Sequence, residues 1–153
     1  MASNLAVVLS DWDYKRPSYG ATLSNRQTLS GFDFFPNPDQ IVNVLKRLIA
    51  LPPNWDSYGA RRIDISSANV AFHVLMEVMG GDTPSPSIVP TSDGHVQFEW
   101  HMRGIDLEVE VISPVAIHVL YEDQYSDEPQ QELTLSYDLT PLHGFIGELT
   151  RRA

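Results

Sequence analysis

The feature that most constrains this chain is a two-residue periodicity that runs through most of its second half. In residues 95–102 the even positions are apolar and the odd positions are polar, and in residues 105–111 the apolar positions are the odd ones. Such alternation is typical of strands that bury one face and expose the other. We therefore predict a half-buried antiparallel sheet with strands at His95–Met102, Ile105–Val111, Val115–Glu122 and Glu132–Tyr137.

Helical patterns lie on both sides of the predicted strands. Asn37-Pro38-Asp39 combines an N-cap, an early proline and an acid, and Pro52-Pro53 ends the helix that it begins. A second helix is predicted from about Ser66 to about Met79, and a third begins at Thr140-Pro141. The predicted fold class is α+β, an antiparallel meander of four to five strands packed on one face by two to three helices.

The first 36 residues differ from the rest. They contain a short apolar run at Leu5–Leu9 and then a turn-rich stretch, and we interpret 1–36 as an irregular arm and 37–153 as a single α+β domain. No basic segment precedes the apolar run, no span of about 18 apolar residues occurs, and cysteine is absent. These features predict a cytoplasmic protein without membrane association.

The charge is unevenly distributed along the chain. Residues 1–62 carry seven Lys or Arg and five Asp, whereas residues 63–153 carry three Lys or Arg and fifteen Asp or Glu, within a total of −10. An acidic half repels phosphates, so direct nucleic-acid binding is disfavoured and a basic partner or a cation is favoured. The acidic run Glu122–Glu132 lacks the spacing of a calcium loop and is interpreted as a solvated loop.

The register of the predicted sheet can be derived from its turns. A two-residue hairpin at Arg103-Gly104 pairs Glu99 with Glu108 and His101 with Asp106. The next connection must have an odd length to keep the apolar faces together, and we predict a three-residue loop at residues 112–114. That loop would place His118 beside Glu108, so that Glu99, Glu108 and His118 would form one row.

Two interpretations of this outer face stay open. It can be a partner-binding or merely solvated acidic surface, with Glu99, Asp106, Glu108 and Glu110 as its carboxylates. Alternatively, oxygen and imidazole ligands could converge on a metal ion. The residues of that metal alternative are His101, His118, Glu99 and Glu108.

A second candidate site is the segment between the first two helices, residues 52–62. Large aromatic side chains in a loop of turn residues require an explanation, because loops are usually polar. Trp, Tyr and Arg are enriched at binding hot spots, whereas a structural role would have the aromatics fill a gap and the acid cap backbone N–H groups. The candidate partner-binding residues are Trp55, Asp56, Tyr58 and Arg61, with Arg62 beside them.

Two segments also resemble a recurring pattern. The sequences LPPNWDSYGA (51–60) and VPTSDGHVQFEWH (89–101), followed by GIDLEVEV (104–111), are similar to small, largely uncharacterised bacterial proteins that combine a PxNWDSYGA loop with a PTxDGxVQxEW strand. The resemblance covers about residues 38–122 and implies a shared domain without an activity. His95 departs from the pattern, which often has a second Gly there.

The functional expectation follows from these features. The sequence contains no phosphate-binding glycine loop and no nucleophile elbow, so we expect a non-enzymatic regulator without a cofactor. It would bind a protein partner, such as a toxin or a defence component, in the manner of an antitoxin, immunity protein or inhibitor. The alternatives are a metal-binding domain or metal-dependent enzyme, and a nucleic-acid mimic that inhibits a nucleic-acid-binding protein.

Overall fold

The computed structural model describes residues 38–153, and these form a five-stranded antiparallel sheet with three helices. The strands follow one another in the order β1-β2-β3-β4-β5, which confirms the predicted α+β meander. The helices are α1 (Pro38–Ile49), α2 (Ile65–Val78) and α3 (Thr140–Arg152). The strands are β1 (Ser87–Pro90), β2 (Val96–Met102), β3 (Ile105–Ser113), β4 (Ala116–Asp123) and β5 (Gln131–Leu135).

The predicted arm at 1–36, including its apolar run at Leu5–Leu9, lies outside the described residues, as does the predicted cap at Asn37. At α2 the cap is visible, because the side chain of Asp64 accepts the N–H of Ser66 at 2.7 Å. In residues 38–153, every helix is too short or too polar to cross a bilayer.

One hydrophobic core lies between the helices and the inner face of the sheet. The alternating residues of each central strand point into it, as the two-residue periodicity predicted. The helices contribute stripes of apolar residues at helical spacing. The most deeply buried members include Val96, Phe98, Trp100, Leu107, Val109, Ile41, Leu45, Leu75, Leu142 and Leu149.

The predicted β2–β3 register is confirmed. Arg103 and Gly104 form a two-residue turn with φ angles of 54° and 75°, the left-handed conformation that such hairpins require. Met102 is therefore paired with Ile105, and Glu99 lies directly opposite Glu108. The polar side chains of these two strands consequently share the outer face.

The predicted β3–β4 register is wrong. The connection is a two-residue turn at Pro114-Val115, and a β-bulge between Val111 and Ser113 absorbs the extra residue. The bulge preserves the parity of the pairing but shifts the register by two residues, so His118 faces Glu110 rather than Glu108. Glu108 instead faces Leu120, and the predicted row of Glu99, Glu108 and His118 does not exist.

A buried serine links the ends of β2 and β3 beside this irregularity. The Ser67 hydroxyl donates to the Val111 carbonyl and accepts the Val96 N–H at 3.1 Å. It therefore bridges two paired residues of β2 and β3 at the end of their ladder. Because Ser67 belongs to α2, it ties that helix to the end of the β2–β3 ladder.

Three further sequence expectations need correction. Val115 was predicted to be an inward-facing strand residue, but it lies in the turn and is 55% exposed. β5 ends at Leu135, so Tyr137 is 80% exposed in the connection to α3, where the Asp138 side chain accepts the Thr140 N–H. The acidic run at 122–132 is only partly a loop, because its two ends belong to β4 and β5.

Candidate functional site

The loop at residues 54–60 is closed by its own hydrogen bonds. The Asn54 N–H donates to the Ala60 carbonyl at 2.7 Å, and the Asn54 side-chain oxygen accepts the Gly59 N–H at 2.7 Å. The Ser57 N–H donates to the Asn54 carbonyl at 3.0 Å. One asparagine therefore ties the start of the loop to its middle and its end.

Asp56 holds the tip of the same loop. Its Oδ1 accepts the Tyr58 N–H at 2.8 Å and the Ala60 N–H at 3.0 Å, the capping role that the sequence suggested. The hydrogen bond from Tyr58, followed by that from Ala60, holds the pKa of the Asp56 carboxyl below its usual range. The carboxylate is thus ionised at neutral pH and engaged inside the loop.

The loop backbone adopts conformations that side chains usually avoid. Asn54 and Ser57 have φ angles of 62° and 67°, and Gly59 has a φ of 99°. Positive φ is uncommon for residues other than glycine, and such strain persists only where the surroundings over-determine the backbone. The hydrogen bonds around Asn54 and Asp56 supply that constraint.

The constrained loop presents a largely free tyrosine. Trp55 is half-buried and its indole N–H donates to the Arg61 carbonyl at 3.3 Å, so it supports the loop. Tyr58 is 94% exposed, and Arg61 and Arg62 are exposed beside the loop. The predicted site residues thus divide into a supporting pair, Trp55 and Asp56, and an exposed group.

The segment after the loop lies against the turn between β1 and β2, residues 91–95. The Arg61 N–H donates to the Ser92 carbonyl at 2.8 Å, and the Asp64 N–H donates to the Gly94 carbonyl at 2.7 Å. A Cβ on Gly94 would lie 2.6 Å from the Arg62 carbonyl oxygen. The two sequence segments with recognisable motifs are therefore in direct backbone contact.

His95 extends this unit to the outer face of the sheet. Its Nδ1 lies 2.9 Å from Glu110 Oε1, and both side chains are about three-quarters buried. Our sequence analysis missed His95 as a site residue. The signal that could have found it is the alternation itself, which places residue 95 on the same face as Gln97 and next to Glu110.

The outer face carries rows of side chains across the strands, and all of them except Leu120 are polar. One row contains Gln97, Glu110, His118 and Thr134, the next contains Glu99, Glu108, Leu120 and Glu132, and a third contains His101, Asp106 and Glu122. We call these three rows the acidic face. Within residues 38–153, none of its carboxylates forms an ion pair with Lys or Arg.

Hydrogen-bond donors partly offset the repulsion on the acidic face. Gln97 Nε2 donates to Glu99 Oε1 at 2.9 Å and lies 3.5 Å from Glu108 Oε2. Opposed like charges on neighbouring strands destabilise a sheet, so this amide lowers a repulsion that would otherwise be larger. The Gln97 amide is thus a neutral donor beside these two opposed carboxylates.

His101 and Asp106 form the tightest charged contact of the acidic face. His101 Nδ1 lies 2.8 Å from Asp106 Oδ1, and His101 Nε2 lies 3.7 Å from Glu99 Oε2. The hydrogen bond to Asp106 raises the pKa of His101, and the same bond, with a further one from Gln124 at 2.9 Å, lowers the pKa of Asp106. The arrangement favours a protonated imidazole.

This contact predicts a pH dependence of stability. Because the folded-state pKa of His101 is raised, its stabilising contribution is fully present below about pH 6.5 and is lost as the pH rises through the folded-state pKa. An NMR titration of the His101 ring should show a midpoint above about 6.5. In Asp106→Asn the midpoint should fall, and a wild-type midpoint at or below the ordinary value would contradict the prediction.

Of the four residues of the metal alternative, His101, Glu99 and Glu108 are neighbours, but His118 lies apart from them. His118 aligns with Gln97, four residues along the sheet from His101 and two strands away. The separation is therefore about 13 Å along the strands and about 10 Å across them. Among residues 38–153, no three His, Asp or Glu side chains are arranged to hold a metal ion.

Comparisons with known proteins provide no relative to set beside this geometry, since no family model, curated protein or solved structure matches the chain.

Proposed function

We propose that this chain is a non-enzymatic interaction protein that binds a protein partner. The binding surface consists of the exposed residues of the 54–62 segment, the 91–95 turn and the acidic face. In this proposal the chain occupies a surface of its partner, as an antitoxin, an immunity protein or an inhibitor does. The motif resemblance to small bacterial proteins stays a prediction and adds no activity.

The observation that carries the proposal is an exposed tyrosine on a pre-organised loop. The side chains of Asn54 and Asp56 are engaged in holding the backbone, yet Tyr58 projects with 94% of its surface exposed. Because the loop is already ordered, binding does not incur the entropy cost of ordering it. Tyrosine and arginine are residue types that dominate binding energies at interfaces, and Arg61 and Arg62 lie beside it.

The acidic face indicates the charge of the partner. It adjoins the 91–95 turn, which packs against the 54–62 segment, through the contact between His95 and Glu110. Its carboxylates have no Lys or Arg counter-ions within the described part of the chain. A basic partner surface would supply them, and such charge complementarity chiefly raises the association rate and the specificity.

The loop can be tested by comparing four baits in affinity capture from the native host. We expect wild type, Tyr58→Phe and His143→Ala to retain a common protein. Tyr58→Phe keeps the phenyl ring, and His143 lies on α3, outside the proposed binding surface. Tyr58→Ala should bind that protein about ten-fold more weakly or worse, which is the effect of removing a hot-spot aromatic side chain. The affinity of the recovered protein is then measured by calorimetry with the same variants.

The result against the proposal would be equal affinity of that protein for wild type and Tyr58→Ala. The charge component is tested separately by a triple variant, Glu99→Gln, Glu108→Gln and Glu110→Gln. Its affinity should fall, and the salt dependence should become shallower than in wild type. An unchanged affinity and salt dependence would remove the acidic face from the proposed surface.

The acidic face also supports a second candidate function, in which the chain mimics a nucleic acid and thereby inhibits a nucleic-acid-binding protein. Glu108 and Glu110 lie two residues apart on β3, and Glu99 faces Glu108 across the sheet, so several negative charges form a regular array. A mimic predicts that duplex DNA or RNA competes with the chain for the recovered partner. Absence of competition would leave ordinary protein binding as the function.

A further inference from the structure

The two edges of the described sheet differ in their chemistry. At β1, Pro86 precedes the strand and Pro90 ends it, and prolines remove the donors that another strand would need. At the other edge, β5 (Gln131–Leu135) contains no proline. Of the strands in residues 38–153, β5 is therefore the edge that can still accept a neighbour.

The hydrogen-bond phase shows which groups β5 offers. The Gln124 N–H donates to the Gly104 carbonyl at 2.8 Å, so the even-numbered residues of β4 direct their backbone groups toward β3. The odd-numbered residues of β4 consequently pair with Gln131, Leu133 and Leu135. It follows that Glu132 and Thr134 direct their N–H and C=O groups outward, where no described strand lies.

The side chains along this edge specify a kind of neighbour. Glu132 lies on the acidic face in the row of Glu99 and Glu108, and Glu122 lies in the next row. Leu133 points to the opposite face, is half-buried, and packs against the core. A strand placed beside β5 would thus meet carboxylates on one of its faces and apolar surface on the other.

We propose that β5 accepts an extended segment of the partner as a sixth strand, and that this segment alternates basic and apolar residues. The Glu132 and Thr134 backbone groups pair with it, its basic side chains lie over the acidic face, and its apolar side chains lie beside Leu133. This deepens the proposed function and rests on it, because it names the mode of binding and the chemistry of the partner. Strand addition of this kind takes affinity from main-chain bonds and specificity from alternate side chains.

The same edge disfavours pairing with a second copy of this chain. Antiparallel pairing of two β5 strands would bring two copies of Glu132 and of the neighbouring acidic residues to one seam. Like charges at a shared edge oppose association, while a basic strand relieves the repulsion. The carboxylates at this edge therefore favour a basic strand over a second copy of β5.

The probe for this proposal is a capped heptapeptide of alternating lysine and valine, Lys-Val-Lys-Val-Lys-Val-Lys. Its matched control carries N-methyl groups on the residues that face β5, which removes the main-chain donors and leaves the charge unchanged. NMR of the wild-type chain should show slower amide exchange at Glu132 and Thr134 with the probe. The N-methylated peptide should bind about ten-fold more weakly, since two or more main-chain bonds are lost.

A protein variant tests the same bonds from the other side. Thr134→Pro removes an outward N–H that the β4 pairing does not use, so the fold should be retained. Thr134→Val is its control, because it changes the side chain and keeps the N–H. We expect Thr134→Pro to bind the probe about ten-fold more weakly than Thr134→Val.

Three outcomes would overturn the strand-addition proposal. They are no binding of the probe by wild type, equal binding of the methylated and unmethylated peptides, and a dimer of the free chain that Thr134→Pro abolishes. None of these affects the Tyr58-dependent capture, so the proposed function would survive them. Conversely, the probe could bind at β5 while the partner binds wild type and Tyr58→Ala equally well. That result would support strand addition at β5 and contradict a binding role for the 54–62 segment.

Discussion

Replacement of Trp100 by alanine is expected to lower the free energy of unfolding by about 3–5 kcal/mol. Trp100 lies in the middle of β2 with 1% of its surface exposed, packs edge-to-face with Phe98, and donates its indole N–H to the Pro84 carbonyl at 2.8 Å. The substitution removes apolar burial, leaves a cavity and strands a buried carbonyl. A loss of this size is a large part of the stability of an ordinary domain.

Urea denaturation of three proteins measures this effect. Trp100→Phe keeps an aromatic ring and loses the hydrogen bond to Pro84, so its loss should be smaller, about 1–3 kcal/mol. The order of stability should be wild type, Trp100→Phe and Trp100→Ala. An alanine variant within about 1 kcal/mol of wild type would contradict the packing described for this core.

The second large effect is expected at Gly94, where the loop segment meets the 91–95 turn. Gly94 has a φ of 93°, and an added Cβ would lie 2.6 Å from the Arg62 carbonyl oxygen. Since that neighbour is backbone, Gly94→Ala must displace the segment or strain the turn, at a cost of about 1–3 kcal/mol. The Arg61 and Asp64 amides, which donate to this turn, should then exchange faster.

A matched glycine provides the control for this prediction. Gly81 is exposed and has open space where a Cβ would lie. Gly81→Ala should therefore stay within about 0.5 kcal/mol of wild type and leave the Arg61 and Asp64 amides unchanged. Equal effects of the two substitutions on stability and exchange would argue against the close approach at Gly94.

Part of this fold could be predicted from residue chemistry because the relevant interactions are local. Alternation of apolar and polar residues predicts β2 and β3, and a two-residue turn then determines that Glu99 faces Glu108. The β3–β4 register could not be predicted in the same way. Parity excludes half of the possible registers, but a three-residue loop and a two-residue turn with a bulge beside Val111 satisfy the same parity.

The candidate site shows the same division. Residue type alone singled out Trp55, Asp56 and Tyr58, and the capping bonds of Asp56 follow from its position in a turn. The contact of this segment with the 91–95 turn was not predictable, because it is made by backbone N–H and C=O groups that every residue carries. The one indication of this contact in the sequence is Gly94, because the turn requires a positive φ at that position.

The central claim is that the 54–62 segment presents Tyr58 on a loop that is ordered before any partner binds. Amide hydrogen exchange at Tyr58 and Ala60 tests it most directly, because both N–H groups donate to Asp56. We predict slow exchange in the free chain, faster exchange in Asp56→Ala, and still slower exchange when the partner recovered by Tyr58-dependent capture is added. Exchange at the rate of an unstructured peptide in the free wild-type chain, or no change on adding that partner, would contradict the claim.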